Sequence, residues 1–357
     1  MFIRDRQGMT YANVEDVENA LDVFETTRAR SQIRRVLQSA TDSVETLLAR
    51  RFYPEIRTQT FRWYDDLGTV DQPWTIWFDR HEVISVGTLT TGEDNTVIPA
   101  SGYFLKPDDG APYTHLELDT EGSFTFDTRS AYQNSVTFTD TTFGYWDKTT
   151  PAGTLVGSVD NSTTSITASD GSKVGVGDLL SIGSERVVVT ARSWIDSGET
   201  LAGDASAAGS DSITVSDGTA FNADEIVMVD SERMLITDIT GDVLTVKRAW
   251  NGSSLAAHST SARVYVSRAL TVTRSVLGTT AASHTNGDAL AKFYVPDLVR
   301  DLTIAEALAQ LIQERTSYAR TIGAGEGERE VRGVGLADLR ERAVCSYGRK
   351  KGTGRAV

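Results

Sequence analysis

The chain has 357 residues, 39% hydrophobic and 24% charged, enough for two or three compact domains with buried cores. Its formal charge of -14 argues against a surface that grips nucleic acid through its phosphates, though not against a protein that DNA slides past. A single cysteine, Cys345, excludes an internal disulfide framework, four scattered histidines leave little material for a zinc site, and no run approaches the roughly 18 apolar residues of a membrane helix.

The opening residues, Met1 to Asp16, lack the apolar run of a signal peptide, so a soluble protein not exported by that route is expected. Asn13 or Asp16 can then cap a short helix through Val17, Ala20 and Leu21. A longer helix follows, with Ile33, Val36, Leu37, Ala40, Val44, Leu47 and Leu48 on one face and Gln32, Arg35, Gln38, Ser39, Asp42, Ser43 and Thr46 on the other. Pro54 stops it after Arg50-Arg51-Phe52-Tyr53. From Arg57 to Tyr145 short alternating runs such as Thr58 to Trp63, Val83 to Val86 and Ser135 to Phe138 predict a small antiparallel sheet. Helical spacing returns after Pro296, where Leu298, Leu302, Ala305, Leu308, Leu311 and Ile312 form a stripe ending near Tyr318.

Between the sheet and that late helix lies a β-like segment rich in small and hydroxyl residues, and it repeats itself. Thr154-Leu155-Val156-Gly157 recurs as Thr200-Leu201-Ala202-Gly203, Ser165 to Gly171 as Ser212 to Gly218, and Ser184 to Thr190 as Ser231 to Thr237. The pattern then skips. Leu244-Thr245-Val246-Lys247-Arg248, His258 and Val264-Tyr265-Val266 are echoed by Leu270-Thr271-Val272-Thr273-Arg274, His284 and Phe293-Tyr294-Val295. The economical reading is nesting: an inner module, 195–267, is inserted into an outer one, 151–194 plus 268–295, at the hairpin tip that the inner module itself spans with Thr240-Gly241-Asp242. Residues 185–192 should then pair antiparallel with 268–274. Tandem half-modules that pair differently are the alternative.

No motif points to catalysis, and no cofactor or metal is expected. His258 and His284 stand at equivalent places with no second ligand at metal spacing, and read as structural. Asp170-Gly171 and Asp217-Gly218 lack the alternating oxygen ligands of a calcium loop and read as turns. Gly175-Val176-Gly177 and Gly323-Ala324-Gly325-Glu326-Gly327 fit neither a phosphate loop nor a dinucleotide fingerprint, and read as hinges or loops. No serine sits in a nucleophile elbow and Cys345 has no evident histidine partner. After Glu341 no acid occurs, while Arg349, Lys350, Lys351 and Arg355 follow, either as a solvated tail or as an arm that docks on a partner or touches DNA phosphate.

The N-terminal order of a short helix, then Val36 to Glu45, then Arg51-Phe52-Tyr53-Pro54, resembles the head-to-tail adaptor (connector) proteins of long-tailed double-stranded DNA bacteriophages. So does Thr142-Phe143-Gly144-Tyr145 coupled with the helix from Pro296 to Tyr318; the resemblance covers roughly 10–150 and 296–350. It implies an α+β fold in which a helical bundle with a small antiparallel sheet carries the large all-β insert of two nested modules, projecting from the ring. The adaptor core would be 1–150 together with 296–357, its last part a helix and the basic tail, packed around Leu37, Val44, Leu47, Phe52, Tyr53, Leu302 and Leu308. The implied function is structural and not enzymatic: a ring of about twelve copies below the portal, in the virion neck, that continues the DNA channel and carries the tail. Its partners would be itself, the portal protein, neck or tail-completion proteins, and DNA passing through the lumen without sequence-specific binding. Assembly would take place in the host cytoplasm, with no membrane involved. Arg349, Lys350, Lys351 and Arg355 are candidates for docking on the portal or lying near DNA. A rival reading makes the chain a virion decoration or host-glycan-binding module. Exposed aromatics near the insert tip would favour it, and Trp194, Trp250, Phe221 and Tyr265 are those on offer.

Overall fold

Apolar residues at helical spacing do form helices: α1 (Val14–Ala20), α2 (Arg30–Leu48) and α3 (Asp297–Arg315), to which α4 (Val334–Tyr347) is added near the C-terminus. The structure, a computed structural model, describes residues 8–20, 30–63, 74–78, 81–126, 135–206, 210–315, 321–322, 329–330 and 334–349. Leu21 and Tyr318, the expected ends of two helices, fall outside them. The chain divides into two compact units, with the division falling inside α2 and α4.

One unit comprises Glu45–Lys148, Leu277–Thr279 and Ala343–Val357. Its first sheet is built from β1 (Glu55–Arg62), β3 (Val83–Ser85), β4 (Thr88–Thr91), β5 (Thr96–Ile98) and β8 (Ser135–Phe143), in the order β1-β8-β4-β5 with β3 also on β8. Its second contains β2 (Thr75–Trp77), β6 (Tyr103–Lys106) and β7 (His115–Leu118), with β7 in the middle. Phe61, Val136, Phe138 and Leu89 from the first and Ile76, Leu116 and Leu118 from the second share one buried cluster. Strand alternation supplies it: β8 buries Val136, Phe138 and Phe143 and turns Ser135, Thr137 and Thr139 away.

The other unit comprises Met1–Val44, Thr149–Val276 and Thr280–Arg342. Its strands are β9 (Thr149–Val156), β10 (Ser165–Ala168), β11 (Leu179–Ile182), β12 (Glu185–Thr200), β13 (Ser212–Thr214), β14 (Ile226–Val229), β15 (Glu232–Thr240), β16 (Val243–Lys247), β17 (Arg263–Thr273) and β18 (Ala289–Phe293). They form a ten-stranded sheet in the order β10-β9-β18-β11-β12-β17-β14-β15-β16-β13, with a further β10–β17 pairing. That pairing closes the six strands β10, β9, β18, β11, β12 and β17 into a barrel. The inner module repeats the arrangement. The far half of β12, β13, β16, β15, β14 and the near half of β17 form a second ring of six, with the step from β12 to β13 made by the Leu201–Val215 bridge.

The two barrels therefore share a ribbon. β12 pairs antiparallel with β17 from Val188–Thr273 to Thr200–Arg263, so the pairing of 185–192 with 268–274 that nesting requires is present. Register shifts at Val189/Ala191, Ser193/Ile195 and Asp196/Thr200 bend the ribbon from one barrel into the other, as bulges do. One detail of the repeat needs correction. Ile182 faces Leu290, and its counterpart Val229 faces Val264, so Leu290 is the equivalent of Val264 and the match of Phe293-Tyr294-Val295 to Val264-Tyr265-Val266 is three residues out of step.

The expected helical bundle with a small sheet is not what forms, because β-structure dominates and the described residues hold four α-helices. The apolar stripes of α1, α2 and α3 bury against the outer barrel: Val14, Val17, Ile33, Val36, Leu37, Ala40, Ala307 and Leu311 share a cluster with Leu155, Ile166, Leu180, Val187, Val189 and Leu270. The outer module is thus part of the helices' core and does not project from it. Helices from opposite ends of the chain are also cross-tied, by Asp16 to Arg300 and by Gln32 and Arg35 to Glu314 at 2.9 and 2.7 Å. The inner barrel has its own core around Val215, Phe221, Val229, Met234, Leu244 and Val264.

Candidate functional site

The repeat places a glutamate, an arginine and a histidine together in each barrel. Glu185, at the start of β12, accepts from Arg274 Nε at 2.9 Å and Nη2 at 2.5 Å, from the Ala282 and Ser275 amides at 3.0 and 3.3 Å, and lies 2.9 Å from His284 Nε2. Glu232, at the start of β15, has the same five partners: Arg248 at 2.7 Å twice, the Ala256 and Ala249 amides at 3.0 and 2.9 Å, and His258 Nε2 at 2.9 Å. Both glutamate side chains are fully buried. Burial alone would raise their pKa, but the bidentate guanidinium, the amides and the imidazole outweigh it and hold each at about 2. Each arginine also caps a strand-end turn whose next residue is left-handed, Ser275 at φ 57° and Ala249 at φ 53°. His258 touches a second carboxylate, Asp230, 2.7 Å from Nδ1, whereas the nearest to His284 Nδ1 is Asp288 at 3.8 Å. The glutamate and arginine of each constellation are consumed inside its own barrel, so these constellations are structural clasps. The sequence reading named the histidines but missed their partners; the signal was the co-repetition of Ser-Glu-Arg, Leu-Thr-Val-x-Arg and His at matching offsets.

The glycine run 175–177 is a seat rather than a hinge. The Thr10 amide donates to the Gly177 carbonyl and the Val14 amide to the Val176 carbonyl, both at 3.0 Å. Asn13 caps α1 in a reciprocal pair with Asp16, Asp16 N to Asn13 Oδ1 at 2.8 Å and Asn13 N to Asp16 Oδ2 at 3.0 Å, and its side chain reaches Asp178. A Cβ on Gly175 would lie 2.4 Å from the Asn13 side chain, and one on Gly177, at φ 107°, 2.2 Å from Thr10 Oγ1. The inner barrel has Asn222 and Asp224 at these places, and its Glu225 turns to Arg268 at 2.6 Å and to the Gly171 amide at 3.0 Å. Only the outer barrel can seat the N-terminal segment. Behind it Glu15 is held by the Val176 amide at 2.8 Å and by Arg192 at 3.7 Å; burial pushes its pKa up against the pull of Arg192 and Arg30.

At the C-terminal end, the Arg349 amide donates to the Leu48 carbonyl and Arg50 Nη1 to the Tyr347 carbonyl, both at 3.0 Å. Arg50 also pairs with Glu82 at 3.0 Å and lies over the Tyr145 ring, while Phe52 meets Tyr145 and Tyr347 at 5.3 and 6.0 Å between centroids. Burial raises the Glu82 pKa, opposed by Arg50 and Arg349. Arg349 is therefore fixed within its unit, and Lys350, Lys351 and Arg355 lie outside the described residues.

The residues expected to form one adaptor core do not gather. Leu37 is in the outer-barrel cluster, with Leu308 packed on its margin, and Val44, Leu302, Phe52 and Tyr53 are buried, the last two in the other unit. Leu47 is 41% exposed, because the row Val36–Ala40–Ser43–Leu47 leaves the core after Ala40 and Leu48 takes the inward position. Of the insert aromatics Phe221 is buried, and Trp194, Trp250 and Tyr265 are half-buried. Among the described residues no group of three or more metal-ligating side chains is placed to hold an ion, and no helix is long and apolar enough to cross a membrane. Comparison with protein-family models, with curated proteins and with solved structures finds no match to the chain.

Proposed function

We propose that this chain is a structural, non-enzymatic subunit of a tailed-phage virion, a head-to-tail adaptor that assembles into a ring below the portal, continues the DNA channel and carries the tail. The observation that carries the reading is the cross-tying of α1 and α2 with α3, helices far apart in the chain, over one core. The sequence resemblance, over roughly 10–150 and 296–350, includes those same helices. The closed clasps fit a load-bearing part, since their charges are spent on each other and not aimed at a substrate. A net charge of -14 per copy fits a lumen that DNA passes without adhering.

Electron microscopy of the purified chain, alone and mixed with portal protein, tests this. Rings, or assembly on portal, are the expected result; monomers that ignore portal at every concentration would overturn the reading.

A further inference from the structure

We propose that the outward face of β2, β7 and β6 is a binding platform for a neutral saccharide. Among the described residues, the exposed large aromatic side chains are Trp74, Trp77 and Phe104, at 38, 48 and 52%. Trp74 flanks this one small sheet, its carbonyl accepting from the Leu118 amide at 3.0 Å, and Trp77 and Phe104 lie within it on the face away from Ile76 and Leu105. The register sets Thr75, Glu117 and Phe104 in one row and Trp77, His115 and Lys106 in a second, with Ile76, Leu116 and Leu105 between them turned toward the core. Exposed rings thus alternate with hydrogen-bonding groups across two rows of one face. His115 stacks on Trp77 with centroids 4.2 Å apart and 27° between planes, which fixes the indole before any ligand arrives.

Size and charge select the ligand. Two rows on three strands span roughly 10 Å by 7 Å, far below the ~800 Å² per partner of a stable protein interface, but suited to a sugar ring or two. The Lys106 ammonium is held by Asp108 at 2.8 Å and the Glu117 carboxylate lies 3.5 Å from the His115 ring, so the fixed cation of the face is already balanced beside a further carboxylate and offers little to a phosphate polymer. A pyranose presents weakly positive C–H groups to the negative face of an aromatic ring, while its hydroxyls donate to the Glu117 carboxylate and exchange hydrogen bonds with the Thr75 hydroxyl. The inference is independent of the adaptor reading.

Titration of the full chain with maltohexaose, cellohexaose and chitohexaose, followed by tryptophan fluorescence and calorimetry, tests it. Saturable binding to at least one is expected, weakened about tenfold by Trp77→Ala or Phe104→Ala and less by Glu117→Gln. Val243→Ser, at an exposed site in the other unit, should leave it unchanged, and unshifted thermal midpoints show that each variant is folded. No saturable binding by the intact chain to any of the three, or binding indifferent to Trp77 and Phe104, overturns the proposal. So does a Trp77→Ala variant whose only change is loss of self-association, which would make the face a contact between copies.

Discussion

At the scale of single residues, Glu185 and Glu232 are buried carboxylates whose ionised form the fold stabilises. Each titrates at about 2 in the fold against an ordinary 4.5. A depressed carboxylate contributes stability in its ionised form, so the contribution is complete above about pH 5 and is lost as the pH falls toward 2, about 3 kcal/mol for each site. Urea midpoints measured from pH 7 to pH 2.5 should fall steeply toward the acid end of that window, while the raised carboxyls of Glu15 and Glu82 tilt the upper limb the other way, favouring the lower pH. Glu232→Gln keeps the shape but strands Arg248 without its carboxylate, and should cost about 3–5 kcal/mol at pH 7 while flattening the acid limb. Leu37→Ala should cost about 2–5 kcal/mol and Leu47→Ala under about 1, since the first is fully buried and the second is not. Periodicity alone could not separate these two leucines, because both lie on the apolar side of α2 and only the neighbouring element decides where that side stops being covered.

At the scale of elements, the repeat was the legible part of the sequence, because paired strands and turns are encoded locally and a duplicated barrel writes each of them twice. The three-residue slip at β18 arose where Tyr294-Val295 imitates Tyr265-Val266, while the pairing with β11 is fixed by Leu290 filling the position of Val264. The seat at Gly175 and Gly177 was read as flexible because a glycine's reason can lie in a distant segment, here Thr10 and Asn13. Gly177→Ala should therefore destabilise by about 1–3 kcal/mol, from the added methyl against Thr10 and the left-handed backbone together. Calorimetry of this variant beside Gly110→Ala, where φ is 108° but a Cβ meets nothing within 4 Å, separates the contact from the backbone strain. Replacing residues 195–267 by a short Gly-Asp turn should leave the outer barrel cooperative, because the inner barrel has a separate core and the join becomes an ordinary hairpin like that at Gly241.

At the scale of the whole chain, the fold class was misread because an amphipathic helix announces that it has a partner, not what the partner is. The stripes of α1, α2 and α3 would have served a bundle equally well, and only the tertiary structure assigns them to the barrel. The basic C-terminus divides at Arg349. Ending the chain after Arg349 should leave the thermal midpoint unchanged, whereas ending it after Tyr347 removes the bond to the Leu48 carbonyl and one of the two cations facing Glu82, and should lower it by several degrees. A pair of melting curves for the two truncations checks this, and portal binding by the longer one reads whether Lys350, Lys351 and Arg355 act in docking.

The shared ribbon also fixes how force travels. Because β12 and β17 are covalently continuous from one barrel into the other, pulling the barrels apart loads two backbones and not a dissociable interface. Separation would demand unfolding, and the compliant points are the register shifts at Ser193/Ile195 and Asp196/Thr200, which allow bending but not sliding. At the near end of that ribbon, Arg192 bonds the Gly171 and Ser267 carbonyls at 2.6 and 2.5 Å and faces Glu15 behind the N-terminal seat. A lateral push on the inner barrel thus bends the ribbon at its register shifts and is met at its near end by the Arg192 contacts to Gly171, Ser267 and Glu15.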